Sequence, residues 1–174
     1  MDIDDAYRQE IEAWHAARIR RLTVPDGWLS LVGLDWLHPG SNRVGSAMDN
    51  DIVLAKAPPH LGALEWNEDG VVRIVLDAAA DAQIDGGPSR QATLLDDSHA
   101  QPTVVAFGSV RFILVDRGGR KGLRVRDSEA ATRTGFTGIR RFPVDPGWRI
   151  VADWQPLEPP FQLATGTVIG TIEN

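Results

Sequence analysis

The sequence predicts a mainly β protein: a β-sandwich with an N-terminal α-helix and a C-terminal β extension. Three observations predict it. Short segments rich in Val, Ile, Leu and Phe recur from Leu31 to Arg126, with Gly, Pro, Asn or Asp between them. That rhythm belongs to sandwiches and barrels. A single helical stripe, Ile3, Tyr7, Ile11 and Trp14, is confined to the start of the chain. The composition, 43% hydrophobic over 174 residues, is enough for the core of one domain.

Taken in order, residues 4–22 read as the helix. Asp4 and Asp5 stand at its start and Arg18, Arg20 and Arg21 at its end, as the helix dipole favours, and Pro25-Asp26-Gly27 stops it. Trp28 to Leu37 is apolar on both alternating faces except at Ser30 and Asp35. It is too short to cross a bilayer, so it reads as a buried core element, with Gly33 marking a bulge or a close backbone approach. Pro39-Gly40 turns the chain into strand Asn42–Val44, and the polar turn Met48–Asp51 leads to strand Ile52–Leu54. Pro58-Pro59 requires a loop or a sheet edge. Ala63–Trp66 and Val71–Leu76 form a hairpin across Asn67-Glu68-Asp69-Gly70. Gln83-Ile84, Arg90–Leu95, Pro102–Phe107, Val110–Arg117 and Leu123–Arg126 are the remaining core strands.

The predicted layout is therefore a helix over residues 1–26, a sandwich over 27–127 and an extension over 128–174. In the extension, Ser128–Thr134 reads as a loop or one helical turn and Arg149–Trp154 as a strand. Pro156, Pro159 and Pro160 make an extended stretch, and Leu163–Ile172 a closing strand pair.

Two resemblances follow from particular strings. Gly27-Trp-Leu-Ser-Leu-Val-Gly-Leu-Asp-Trp-Leu37, Gly40-Ser-Asn-Arg-Val-Gly-Ser46, Asn50-Asp-Ile-Val-Leu54, Gly122-Leu-Arg-Val-Arg-Asp127 and Phe136-Thr-Gly-Ile-Arg-Arg-Phe-Pro-Val-Asp-Pro-Gly-Trp148 resemble a bacterial and archaeal family catalogued as a domain of unknown function. That resemblance covers roughly residues 10–155 and implies no activity. Members of that family continue into a further segment, so the resemblance implies either a short member or a fragment, and a truncated sheet would offer an open edge to a second copy.

The other resemblance is to the forkhead-associated (SMAD/FHA-like) fold. It rests on the order Val44-Gly45-Ser46, Asn50–Leu54, His60, Ile84–Gly87, Leu94–Asp97 and Phe107–Phe112. It implies a sandwich of the kind that binds phosphothreonine peptides. The chain departs from that pattern where phosphate would be held: Gly45 is followed by Ser46, the loop reads Ala57-Pro58-Pro59-His60, and Asp85 precedes Gly86. The resemblance therefore implies the fold and argues against phosphothreonine as the ligand.

Charge narrows the function further. A net charge of −6 argues against generic nucleic-acid binding, and the absence of cysteine removes disulfides, thiol chemistry and zinc–thiolate sites. The acidic start, Met1-Asp-Ile-Asp-Asp5, has no apolar leader, so a cytoplasmic location without membrane partners is expected. Residues 111–149 run against the overall balance, with ten Arg or Lys against four Asp or Glu. On strand 123–126, Arg124 and Arg126 share one face, about 7 Å apart. Two guanidinium forks at that spacing suit a phosphate or carboxylate, with Arg140, Arg141 and His60 as further contributors. The competing expectation is pairing with Asp116, Asp127 or Asp153. Core packing accounts for most of the six tryptophans, and one beside the arginines would serve as a platform.

The strings of the common catalytic sites are missing. Gly40–Ser46 has phosphate-loop glycine spacing without the lysine, and Asp49-Asn50-Asp51 lacks the rest of a calcium loop. Asp96, Asp97 and His99 read as a solvated loop rather than a metal site, and no cofactor is expected. The leading expectation is a non-catalytic module for an anionic peptide or small molecule. The alternatives are a small hydrolase or lyase using His60 as base, and a structural module that dimerises through its helix or an open strand edge.

Overall fold

The computed structural model describes residues 3–158, 165–166 and 172–173. The chain divides into two compact units, residues 17–139 and the combined segments 1–16 and 140–174. Helix α1, Ile3–Thr23, contributes residues to both.

Residues 17–139 hold two five-stranded sheets. One is ordered β1 (Leu31–Trp36), β10 (Arg120–Asp127), β9 (Val110–Arg117), β8 (Val104–Phe107) and β6 (Gln83–Ile84), all antiparallel. We refer to it as the first sheet. The second is ordered β3 (Ile52–Val53), β2 (Gly40–Gly45), β4 (Gly62–Trp66), β5 (Val72–Leu76) and β7 (Gln91–Thr93), with only the β2–β3 pair parallel. The strands bury alternate residues, as a two-layered sheet structure requires. Phe112, Leu114, Leu123 and Val125 of the first sheet and Val44, Leu64, Val72 and Ile74 of the second are all nearly inaccessible. They belong to one continuous apolar cluster. The predicted mainly β class and sandwich are what the strand pairing shows, with the helix in front.

Two local devices hold the two ends of β2. Asn42 is fully buried. Its Oδ1 accepts from the His38 N–H at 2.9 Å, and its Nδ2 donates to the His38 and Gly40 carbonyls at 2.8 and 3.1 Å. That closes the Pro39-Gly40 turn. Further on, Asn50 Nδ2 donates to the Ala47 and Pro59 carbonyls at 2.7 and 2.8 Å. Gly45 lies so near this loop that a Cβ would stand 2.2 Å from the Pro59 carbonyl oxygen.

Hairpin β9–β10 closes through Gly118-Gly119, with φ of 62° and 85°, the doubly left-handed geometry of a two-residue hairpin turn. Asp116 fixes the turn by accepting from the Gly119 N–H and from Lys121 Nζ, both at 2.8 Å.

Several expectations need correction. Trp28–Leu37 is not a buried element throughout. Trp28–Ser30 is a 3₁₀ turn, and Trp28, Val32 and Leu34 are exposed. No residue of β1 belongs to the buried core cluster: its inward positions are Gly33 and Asp35, and Val32 and Leu34 are left to solvent. Its register does shift, between Leu31 and Gly33, as Gly33 suggested. Most of the tryptophans are not core residues either, although Trp66 packs against the core. Trp14, Trp28, Trp148 and Trp154 are all more than half exposed, while Val, Ile, Leu and Phe fill the space between the sheets.

In the other unit, Arg141 forms an ion pair with Glu12, and the Arg149 guanidinium stands 5.7 Å from the Tyr7 ring centroid. Asp145 caps the 3₁₀ turn Pro146–Trp148 by accepting from the Gly147 N–H at 2.9 Å. The strand expected over Arg149–Trp154 is not formed. The segment finds no partner strand among the described residues, and Ile150 and Val151 remain exposed. Of the closing pair expected over Leu163–Ile172, short strands β11 (Thr165–Gly166) and β12 (Ile172–Glu173) are paired antiparallel. Its other residues, with Pro159 and Pro160, lie outside the described residues.

The loop devices carry a stability prediction. Asn42→Ala strands several buried backbone groups and should cost about 3 kcal/mol. Gly45→Ala should cost about as much through overpacking. Urea unfolding monitored by circular dichroism measures both, and Ser41→Ala, at an exposed position beside them, should change nothing.

Candidate functional site: an arginine-bearing sheet face

The outward face of the first sheet follows from its register. On β10 the core-facing residues are Leu123 and Val125, so Gly122, Arg124 and Arg126 face outward. Cross-strand pairing sets Arg111 of β9 directly opposite Arg126, Ile113 opposite Arg124 and Val115 opposite Gly122. On the other side, β1 sets Leu31, Leu34 and Trp36 beside Arg126, Arg124 and Gly122. One face thus carries arginines along two central strands, flanked by apolar side chains.

Three arrangements succeed one another along it. At the turn end, the Arg120 guanidinium stacks over the Trp36 ring at 4.1 Å. This cation–π contact is possible because β10 has no side chain at Gly122, where a Cβ would meet Trp36 Cε3 at 2.9 Å. In the middle, Arg117 grips Asp97 with both forks, Nη1–Oδ1 at 3.0 Å and Nη2–Oδ2 at 2.6 Å. Arg124 Nη1 reaches the same Oδ2 at 3.3 Å. Hydrogen bonding from Arg117 holds the Asp97 carboxyl below the usual carboxylate range against the opposing effect of burial, and the charges of Arg117 and Arg124 help. At the far end stand Arg126 and Arg111. Neither makes an ion pair with a carboxylate among the described residues. Burial lowers the pKa of Arg126 from the usual guanidinium range, and Arg124 and Arg111 lower it further, while Asp26 opposes them from beyond ion-pair distance.

Within residues 17–139 the expected contributors do not form one cluster. Arg124 and Arg126 do share a face, but Arg124 is not free: Asp97 is its acid. The acids expected to compete for it are engaged elsewhere or lie in the other unit. Asp116 binds Lys121 at 2.8 Å, Asp127 faces the other side of β10 and binds Lys56 at 2.8 Å, and Asp153 belongs to the other unit. Arg140 and Arg141 also belong to that unit, where Arg141 is held by Glu12.

His60 lies on the second sheet, in the loop before β4. It is exposed and shares a shallow cavity of about 310 Å³ with Arg43, Asn50 and Asp77. Among the described residues no carboxylate is within ion-pair distance of its ring. Arg43 is bound to Asp51 at 3.3 Å, and Asn50 is committed to its loop.

Asp96 and His99 stay together in the loop, and Asp97 turns away from them. Asp96 Oδ1 accepts from Ser98 Oγ at 2.6 Å and lies 3.3 Å from His99 Nδ1, while Asp97 turns to the arginines. Among the described residues no cluster of three His, Asp or Glu side chains could hold a metal ion. No described helix is long and apolar enough to cross a membrane.

Arg111 was the residue sequence reasoning passed over. Its strand was assigned correctly, but the signal was a cross-strand register, which a single strand's alternation does not contain.

No family model matches the chain, so no family is assigned to it, and no curated protein matches it. Among solved structures it is similar to the FHA domain of FhaA, determined in complex with the intracellular domain of Rv3910. That similarity has 18% identity and a TM-score of 0.34 over 53% of this chain and 97% of that one. It is similar at the same identity and score to an FHA domain studied for its phosphothreonine-dependent interactions, over 53% of this chain and 92% of that one. At that identity and score neither similarity assigns a ligand or a residue role here.

The Asp97 node predicts an acid response. Its lowered carboxyl contributes stability that is present above the unfolded value, about 3.9, and is lost as pH falls through the folded value. Asp97→Asn should therefore destabilise the protein at pH 7 by about 1–2 kcal/mol, allowing for the part of the pair open to solvent. The gap between variant and parent should narrow as pH falls below about 4. Thermal melts at pH 7, 4 and 3 test the sign.

Proposed function

We propose that the chain is a non-catalytic binding module for an anionic peptide or small molecule, with the anion held at Arg126 and Arg111 and steadied by Arg124. The observation that carries this reading is the cross-strand pair Arg111–Arg126. Like charges placed directly opposite on one sheet face are unfavourable. Here the pair is additionally shielded from water at Arg126 and lacks an acid at ion-pair distance among the described residues. A carboxylate or phosphate between the two forks would supply the missing charge and accept hydrogen bonds from both.

The surroundings support the same reading. A groove of about 700 Å³ has Arg111 in its lining together with Gln101, Pro102, Val104, Ala106 and Asp85, whose carboxylate is engaged by the Val104 N–H at 2.8 Å. It offers an extended body a polar and apolar track leading away from the guanidinium groups, within the size range of ligand pockets. The Arg120–Trp36 stack lies on the same face. The ion pair Arg124–Asp97 fixes the central guanidinium without neutralising its neighbours.

The test separates binding from folding. Arg126→Gln should leave the protein folded and raise its stability at low salt by about 0.2–1 kcal/mol, because it removes a like-charge neighbour. The gain should shrink in high salt. Phenyl phosphate and benzoate, titrated against the parent by nuclear magnetic resonance, should shift the amides of β9 and β10. Arg126→Gln and Arg111→Gln should each weaken that binding at least tenfold. Unchanged binding in both variants, or loss of folding in Arg126→Gln, overturns the assignment.

A further inference from the structure

The second candidate site lies on the opposite side of β10, at the open edge between the two sheets. A cavity of about 350 Å³ opens there between β1 and β3. Its wall is mainly apolar, with Val32, Val53, Val110 and Val125 contributing. Asp35 of β1 reaches into this wall from the inward side of the sheet, where it pairs across the strands with Leu123 and lines the cavity together with Val125, away from the arginines. Space for its carboxylate is left by Gly33: a Cβ there would stand 3.2 Å from Asp35 Oδ2.

The charge balance of the cavity is uneven. Lys56 is the cation among its lining residues, and it is already committed. Its Nζ lies 2.8 Å from Asp127 Oδ2 and 3.5 Å from Glu129 Oε2. Asp127, itself buried, also accepts from the Glu129 N–H at 2.8 Å. The Asp35 carboxyl has no hydrogen bond and no ion pair among the described residues. Burial raises the pKa of its carboxyl above the usual range, and no partner offsets that effect. A half-buried carboxylate in an apolar wall is a costly placement unless something joins it. Such a group in a cavity is a recognised mark of a binding site.

We propose that this cavity binds a small organic ammonium ion, its cationic head on Asp35 and its apolar body against the valines. The charge of Asp35 selects a cation. The valine wall selects a ligand with a hydrocarbon or aromatic body over a bare metal ion, which would find too few oxygen donors there. Cavity size limits the body to about that of a single aromatic ring. The site is independent of the arginine face: it uses no residue of that face and selects the opposite charge.

Three phenyl-bearing probes of similar size test it: 2-phenylethylammonium, 2-phenylethanol and phenylacetate, each titrated at pH 7 with nuclear magnetic resonance of the backbone amides of β1, β3 and β10. The ammonium should bind at least tenfold more tightly than the alcohol, and phenylacetate should be weakest at this cavity. In Asp35→Asn, which keeps the shape of the side chain and removes a destabilising charge, the preference of ammonium over alcohol should disappear. Retention of that preference in Asp35→Asn overturns the proposal, as does equal binding of the three probes or binding of none. Because Arg126→Gln leaves this cavity untouched, it should bind 2-phenylethylammonium as the parent does. Failure at one site therefore leaves the other standing.

Discussion

The register of β9 against β10 is the constraint on which both candidate sites depend. Arg111, Ile113 and Val115 must face the same way as Arg126, Arg124 and Gly122, while Phe112 and Leu114 join Leu123 and Val125 in the core. A slip of one residue would bring guanidinium groups into an apolar interior and turn phenylalanine and leucine to water. The burial of uncompensated charge makes that alternative prohibitive. The core therefore dictates where the arginines stand, and the cross-strand pair Arg111–Arg126 is a by-product of packing on the other side of the same strands.

This link between the two faces explains why the site could be read only in part from the chain. Alternation along Leu123–Arg126 was visible in the residues themselves, so Arg124 and Arg126 could be placed on one face without a partner strand. What they would meet could not. Asp97 reaches Arg124 from a loop remote in sequence, and Arg111 meets Arg126 only because two adjacent strands close through a tight turn. Contacts of that kind depend on register, which local composition does not record. The acids nearest in sequence were the wrong ones, because Asp127 belongs to the opposite face and Asp116 is held by the turn.

The fold was more legible than the site, for a physical reason. Turn residues and period-two alternation act within a few positions, and the sheet strands from Gly40 to Asp127 follow them closely. The readings that failed rest on apolar content alone. Trp28 and the segment Arg149–Trp154 look like core or strand by composition. A strand also needs a neighbour to take its hydrogen bonds, and a tryptophan needs a space large enough to enter. Between these sheets the volume is filled by smaller aliphatic side chains and phenylalanine, and most of the indoles are left at the surface.

The Gly118-Gly119 turn bears on how this chain can vary. Two residues with left-handed backbone close the hairpin, and Asp116 ties the turn to Lys121. Side chains on either arm can be exchanged while the hairpin keeps its shape, so ligand preference is free to drift through substitution. Adding or deleting a single residue is another matter, since it would turn one arm of the hairpin inside out relative to the other. Insertions of odd length within these arms are therefore open only where a bulge absorbs them, as between Leu31 and Gly33 of β1, and diversity in the outward face arises mainly by replacement.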